Sequence, residues 1–435
     1  MRCKRLSMGL TLVLAVVAVT IEITPAAAQS EKVLFNFSIY DSFAAGPYGG
    51  LIFDAAGNLY GMTDLGGTYN CGRVFELTPQ TSGGWTEKVL HNFDKNGKDG
   101  CAPYGRLVFD SAGNLYGTTS AGGEYNEGIV FELKHNSGGG WVEQILHAFN
   151  RNGTDGYNSE AGLAIDSLGD LYGTTAQGGT NGAVGTVFEL SHQTSGNWTE
   201  TPLYAFDSLY GANGAYPLAR VTFDSSGHIF GTAAHGGENN NNWGVVFELT
   251  QKSTGGWAET VLHTFQNNGV DGSGPVSSLI ADAAGNLYGT TLDGGTGSCN
   301  FEGVLGCGTV FELSPVEGGG WTETVLYSFQ GGNDGEYPRA GLIFDAAGNL
   351  YGTTQDGGIY QYCNIDNITV GGCGTVFELS PTAGGWTETV LHSFGNNKDG
   401  IIPAAELVMD AAGNLYGTTV LGGVYGGGTV FKITP

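Results

Sequence analysis

Basic side chains are scarce. Sixteen lysines and arginines stand against 42 aspartates and glutamates, a formal charge of −26. So acidic a surface repels nucleic acid and anionic lipid, and neither is expected as a partner. Beyond residue 28 no apolar run approaches the roughly 20 residues a membrane helix needs. Helical periodicity of useful length is missing as well, which excludes a helical bundle. There is no GxSxG, HExxH, P-loop or dinucleotide fingerprint, and no CxxC, so the common signatures of hydrolases, nucleotide enzymes and zinc ribbons are absent.

The one long apolar run lies at the start. Arg2, Lys4 and Arg5 precede it and Ala26-Ala27-Ala28 follow it. That is the layout of a secretory signal peptide over 1–28, not of a membrane anchor, although Glu22 is unusual within it. Cleavage near Gln29 removes three basic groups and one acidic group, which takes the charge from −26 to −28. The expected product is a secreted or periplasmic monomer with no membrane insertion after cleavage.

What the chain has in abundance is glycine, 77 residues, with aromatics at 11%. The aromatics recur at fixed positions, which a disordered chain would not show. They mark an internal repeat. The stretch "AAGNLYGTT" stands at 283–291, 346–354 and 411–419, with near-copies at 55–63 and 111–119. Aligned on the apolar residue that opens each unit, seven copies begin at Leu51, Leu107, Leu163, Val221, Leu279, Leu342 and Leu407.

Each complete copy holds four strand-like runs, for example "GLIFD" (341–345), "NLYGTT" (349–354), "TVFELS" (375–380) and "WTETVLHSF" (386–394). All are rich in β-branched and aromatic residues and bounded by turn formers. The "DAAGN" between the first two suits a short hairpin, with Asp bonding back to the turn and Gly at positive φ. Seven equivalent copies of that Asp argue for structure over catalysis. The last copy stops after its third run, while "EKVLFNF" (31–37) reads as a fourth run with no first three before it. The two fragments complete one unit. An open solenoid would instead carry atypical caps. The expectation is all-β: a seven-bladed β-propeller over 29–435 with four-stranded blades, closed by residues 31–37.

At this point the tandem "GNLYGTT…GG…GTVFEL" pattern resembles the GloVer-type repeat of bacterial secreted proteins, named choice-of-anchor for their varied C-terminal sorting tails. The resemblance covers 31–435 and implies export and a repeat scaffold. It brings no catalytic residues. This chain ends at Pro435 directly after a strand with no sorting motif, so free secretion or periplasmic residence is expected over anchoring.

Function is then sought where copies differ. Hairpins on one face keep their length, whereas the loops between second and third runs lengthen in blades 4 to 6. Cys299 and Cys307 bracket one insertion, Cys363 and Cys373 the other, and Cys71 and Cys101 lie on the same face. Six cysteines allow fifteen connectivities; local pairs suit an oxidising compartment, and a zinc site is the weaker competitor. The variable loops offer Tyr210, Tyr216, His235, Glu238, Trp243, Phe301, Tyr360, Tyr362 and Asp366 as binding candidates. Aromatic rings beside amides and carboxylates suit carbohydrate and equally a protein partner. Asp94, Asn96 and Asp99 in "DKNGKDG" form a weak calcium set, for which Asx-turns are the simpler explanation. Two readings remain: a binding or interaction module, or a lyase- or glycosidase-like enzyme on the same face. His235 with Glu238 is a loose acid–base pairing for the second, and no catalytic residue is assigned.

Overall fold

The structure is a computed structural model. It describes residues 30–435 except 40–44, 137, 181–182, 194–195, 239–241, 302, 361–362, 366–367, 371 and 396–397; the signal-peptide region lies outside the described residues. Seven four-stranded antiparallel sheets follow one another around an axis, a seven-bladed β-propeller. Blade 1 is built from Ile52–Phe53, Leu59–Thr63, Arg73–Pro79 and Trp85–Asn92, from the axis outward. The closing strand is Ser30–Ser38, which pairs antiparallel with Gly426–Thr434. It supplies the fourth strand of blade 7, as the split repeat implies.

The first strands are shorter than their five-residue sequence runs. Each has only two ladder residues, because the preceding chain packs on the neighbouring blade. A Cβ on Gly49 would lie 2.4 Å from the Gly105 carbonyl oxygen, and one on Gly105 2.5 Å from the Ala161 carbonyl carbon.

Most repeated letters have a packing reason. In "DAAGN" the Asp54 carboxylate accepts hydrogen bonds from the Ala56 and Asn58 amides, the Asn58 side chain and the Tyr60 hydroxyl. Burial alone would raise this carboxyl, but those bonds hold it below its ordinary value. Asp110, Asp282, Asp345 and Asp410 repeat the arrangement, so these acids are turn anchors. The Gly of "LYGTT" makes room for the Phe of "VFEL" on the next strand: a Cβ there would lie 2.5–2.7 Å from the ring in every blade. In most blades the first Thr bonds across to the next blade, as Thr118 Oγ1 does to the Ala161 carbonyl.

The blades are joined by phenylalanines. The Phe after each fourth strand meets the "VFEL" Phe of the following blade, from Phe93–Phe131 to Phe394–Phe431. Phe37 of the closing strand meets Phe75 of blade 1 with ring centroids 5.2 Å apart, and both are fully buried. Such aromatic pairs add about 0.5–1.5 kcal/mol beyond the area they bury.

Each linker into a blade is tied to that blade's second-to-third loop. Gly100–Cys101 pairs with Ala121–Gly122, and Ala215 bridges His235. Linkers and these loops therefore share one face, called here the linker face. The disulfides Cys71–Cys101, Cys299–Cys307 and Cys363–Cys373 staple it; these are the local pairs.

Deleting residues 30–38 should lower the melting temperature sharply, and Phe37→Ala alone should cost about 3–5 kcal/mol. Calorimetric melts check both; a truncated chain that melts unchanged contradicts closure by this strand.

Candidate functional site

The seven linkers reach the axis just before each first strand, and there the copies stop resembling one another. The last residue of each linker is Gly50, Arg106, Gly162, Arg220, Ser278, Gly341 or Glu406. All seven line one axial cavity of about 130 Å³ on the linker face. Around this ring each of the three long charged side chains stands between small neighbours, glycine or serine. The small residues leave room for the long ones: a Cβ on Gly162 would lie 2.6 Å from the Arg106 carbonyl oxygen, one on Gly341 would crowd the Glu406 carboxylate, and one on Gly50 would press on both Glu406 and Arg106.

The charges meet at the centre. Arg106 Nη1 donates to Glu406 Oε2 at 3.2 Å, and Arg220 Nη2 lies 3.6 Å from the same oxygen. Burial would raise the Glu406 carboxyl, but Arg220, Arg106 and the Ser278 hydroxyl override it and hold the group at about 2. Glu406 is therefore ionised at any physiological pH. It anchors two arginines and has no proton to give.

Two residues further out the mouth is lined by Tyr48, Tyr104, Glu160 and Arg339. The Tyr48 and Tyr104 rings stand 5.3 Å apart, tilted by 60°. Burial is the main force raising both hydroxyl pKa values, with Tyr104 pushed up to about 12, while the Arg339 charge pulls each back down. Arg339 thus sits within electrostatic reach of both rings. Inward of the triad the axis turns apolar, with cavities of about 430 and 340 Å³ lined by Val108, Ile165 and Phe223 on one side and by Ile343, Phe344 and Met409 on the other. Arg106 borders both, so the triad divides a polar mouth from an apolar funnel.

The loop candidates are only partly gathered. His235 is exposed and stacks edge-on against Tyr216, ring centroids 5.5 Å apart. Glu238 is exposed, but among the described residues no hydrogen bond or ion pair joins it to His235, so the acid–base pairing is not assembled. Trp243 packs against the core between blades 4 and 5 and reads as structural. Tyr210 is exposed and stands in the linker into blade 4. Phe301 lies on a short hairpin, Asn300–Phe301 with Val304–Leu305; Tyr362 and Asp366 fall outside the described residues. Tyr360 is exposed, and so are Tyr69, Tyr125 and Tyr425 at the same loop register in blades 1, 2 and 7. Those three were missed because their loops are short.

The calcium set does not converge either. The Asp94 and Asn96 side chains accept backbone amides of residues 96, 98 and 99, which is the Asx-turn reading. Asp99 Oδ2 instead faces His91 Nε2 at 3.1 Å and belongs to a group with Glu143 of the next blade. His147, Asp155 and Glu200, and His263, Asp271 and Glu323, repeat it at two other junctions, each group's ligand atoms lying within 4.8 Å of one another. One imidazole with two carboxylates suits a divalent cation or a shared proton. The junction at Tyr327 keeps the two acids without the imidazole, and its hydroxyl donates to Asp334 at 2.6 Å. At the closing junction Arg73 pairs with Glu87 at 2.7 Å instead. Variation of this kind fits a polar seal between blades better than a set of metal centres.

Comparison with known proteins supports the repeat. The model of the Gloeobacter/Verrucomicrobia repeat matches residues 47–301 and 296–435. No curated relative matches. Among solved structures, an ancestral GH74 enzyme is similar with a TM-score of 0.54 at 12% identity, over 90% of this chain and 48% of that one; the chain spans about half that enzyme's length. A protein of unknown function from Dyadobacter fermentans aligns over 93% of this chain and 98% of its own at 14% identity, with a TM-score of 0.41. At 12% identity the likeness to the GH74 enzyme is one of fold alone.

The interblade glutamates make a pH prediction. Burial, reinforced by a neighbouring aspartate, pushes Glu31, Glu200, Glu259 and Glu323 up to about 7 and Glu388 up to about 8. A carboxyl raised on folding gives stability that is complete below its unfolded value near 4.5 and is lost as pH rises through the folded value. The melting temperature should therefore be higher at pH 5 than at pH 8. A rise from 5 to 8 in metal-free buffer would contradict this account of the junctions.

Proposed function

The chain belongs to the Gloeobacter/Verrucomicrobia repeat family, and from that premise we propose that it is an extracytoplasmic binding propeller that takes a carbohydrate chain end at its axial mouth. Three stapled loop regions suit an oxidising compartment. Among the described residues no helix is long and apolar enough to cross a membrane. The observation that carries the reading is the axial ring. A repeat that keeps the same phenylalanine pair at every junction breaks its own pattern at the axis, and has there two tyrosine faces, three arginines and two glutamates around a cavity. Tyrosine faces pack against the C–H faces of a sugar ring while charged and amide groups take its hydroxyls. Function on a rigid scaffold concentrates at such departures.

The loops of blades 4 to 6, with the His235–Tyr216 ring pair, stand on the same face as the site. Binding is favoured over turnover because the best-placed axial carboxylate, Glu406, is locked ionised between two arginines, and a general acid needs a proton at working pH.

Calorimetric titration against a panel of oligosaccharides tests the reading. A binder should lose about 10-fold in affinity when Tyr48 and Tyr104 are both changed to Ala, since each aromatic contact is worth about 0.5–1.5 kcal/mol. Binding that ignores both changes places the site elsewhere; hydrolysis or elimination of the bound sugar makes the protein an enzyme.

A further inference from the structure

Arginine placement narrows the ligand class at this mouth. Residues 29–435 contain five arginines: Arg73, Arg106, Arg151, Arg220 and Arg339. Three of the five line the axial cavity, in a chain whose acidic groups outnumber its basic ones by 26. The two arginines elsewhere are committed, Arg73 to Glu87 and Arg151 to Glu127. At the axis Arg106 and Arg220 share the single carboxylate of Glu406, which leaves that triad with one positive charge in excess. Arg339 is exposed at the rim and has no carboxylate partner among the described residues. The one other acid lining the cavity is Glu160, so three cations face two carboxylates on its wall. Behind it lies Asp64, whose charge acts on Tyr48 and Tyr104 but whose carboxyl burial pushes up to about 7, so that it carries less than a full charge at neutral pH.

A narrow cleft with low-dielectric walls focuses such an excess. On a strongly acidic surface, a locally positive hollow draws in an anionic group and disfavours a cation. An unpaired guanidinium offers parallel N–H donors matched to the two oxygens of an anionic group. Beside it stand the Tyr48 and Tyr104 hydroxyls, within reach of the Arg339 charge, whose rings supply the face for the sugar that carries the anion.

We propose that the axial mouth selects an anionic saccharide, one bearing a carboxylate or a sulfate ester, with Arg339 receiving the anionic group and Tyr48 and Tyr104 receiving the ring. This rests on the carbohydrate reading above and specifies it. Arg106 and Arg220 are positioning residues: they fix Glu406 and set the field, while Arg339 makes the contact.

The experiment is calorimetric titration of the full-length mature protein with three probes: an oligogalacturonate, its fully methyl-esterified counterpart, and a sulfated oligosaccharide of equal length. The acid or the sulfate should bind at least about 10-fold more tightly than the ester, as a charge-assisted hydrogen bond allows, and whichever of the two is tighter identifies the anion. Arg339→Gln should abolish that preference by lowering the affinity for the acid or sulfate at least about 10-fold, toward that for the ester, because the change removes the charge and spares the ring contacts. The residue is exposed and has no ion-pair partner among the described residues, so its variant should melt as the parent does. Equal binding of acid and ester, or a preference that survives Arg339→Gln, overturns the proposal. If the ester or another neutral sugar binds in a Tyr48- and Tyr104-dependent way while no anion is preferred, the carbohydrate reading stands and only the anionic selectivity falls. If no saccharide binds at all, both fall together.

Discussion

The ring stands on one contact made seven times: a buried phenylalanine of one blade against the buried phenylalanine of the next. From Phe37–Phe75 through Phe394–Phe431 the ring centroids lie 4.9 to 5.3 Å apart. A blade cannot bury its own faces, so each depends on both neighbours, and a propeller has no free end only if the last junction is as good as the others. That requirement explains why the closing strand repeats the "VLFNF" chemistry of a fourth strand and why it comes from the opposite end of the chain.

The same requirement explains the monotony of the sequence. The Gly of "LYGTT" is there because a Cβ would strike the phenylalanine ring, and the Asp of "DAAGN" because four donors converge on it. Around that seal runs a polar one, in which His91 with Asp99 and Glu143 is varied to Tyr327 with Asp334, or replaced by Arg73 with Glu87. Positions that serve neither seal are released from the repeat. The axial residues are the clearest case, since they touch their counterparts across the ring and each can differ from its neighbours provided no two large ones stand side by side.

Much of the architecture was legible in the sequence because it is written in local periodicity. Blade number, strand order and ring closure follow from register and spacing, and the three local cysteine pairs are the ones that spacing favours among fifteen connectivities. The axial site was not found, although its signal was present. The residue just before Leu51, Leu107, Leu163, Val221, Leu279, Leu342 and Leu407 reads Gly, Arg, Gly, Arg, Ser, Gly, Glu, a departure of chemistry at constant length. Loop length varies instead in blades 4 to 6, where the insertions are. The junction triads were hidden for another reason: His91 and Glu143 are 52 positions apart in the chain, and only the fold brings them together. The first strands were overestimated because an apolar run shows burial and not pairing; near the axis those residues are buried by the next blade.

The central claim is that recognition happens on the axis of the linker face. A crystal structure of the protein soaked with an acidic oligosaccharide tests it most directly. The account predicts an anionic group within hydrogen-bonding distance of the Arg339 guanidinium and a sugar ring against Tyr48 or Tyr104. A saccharide bound over the outer loops of blades 4 to 6, with the axial mouth holding only solvent, would contradict it.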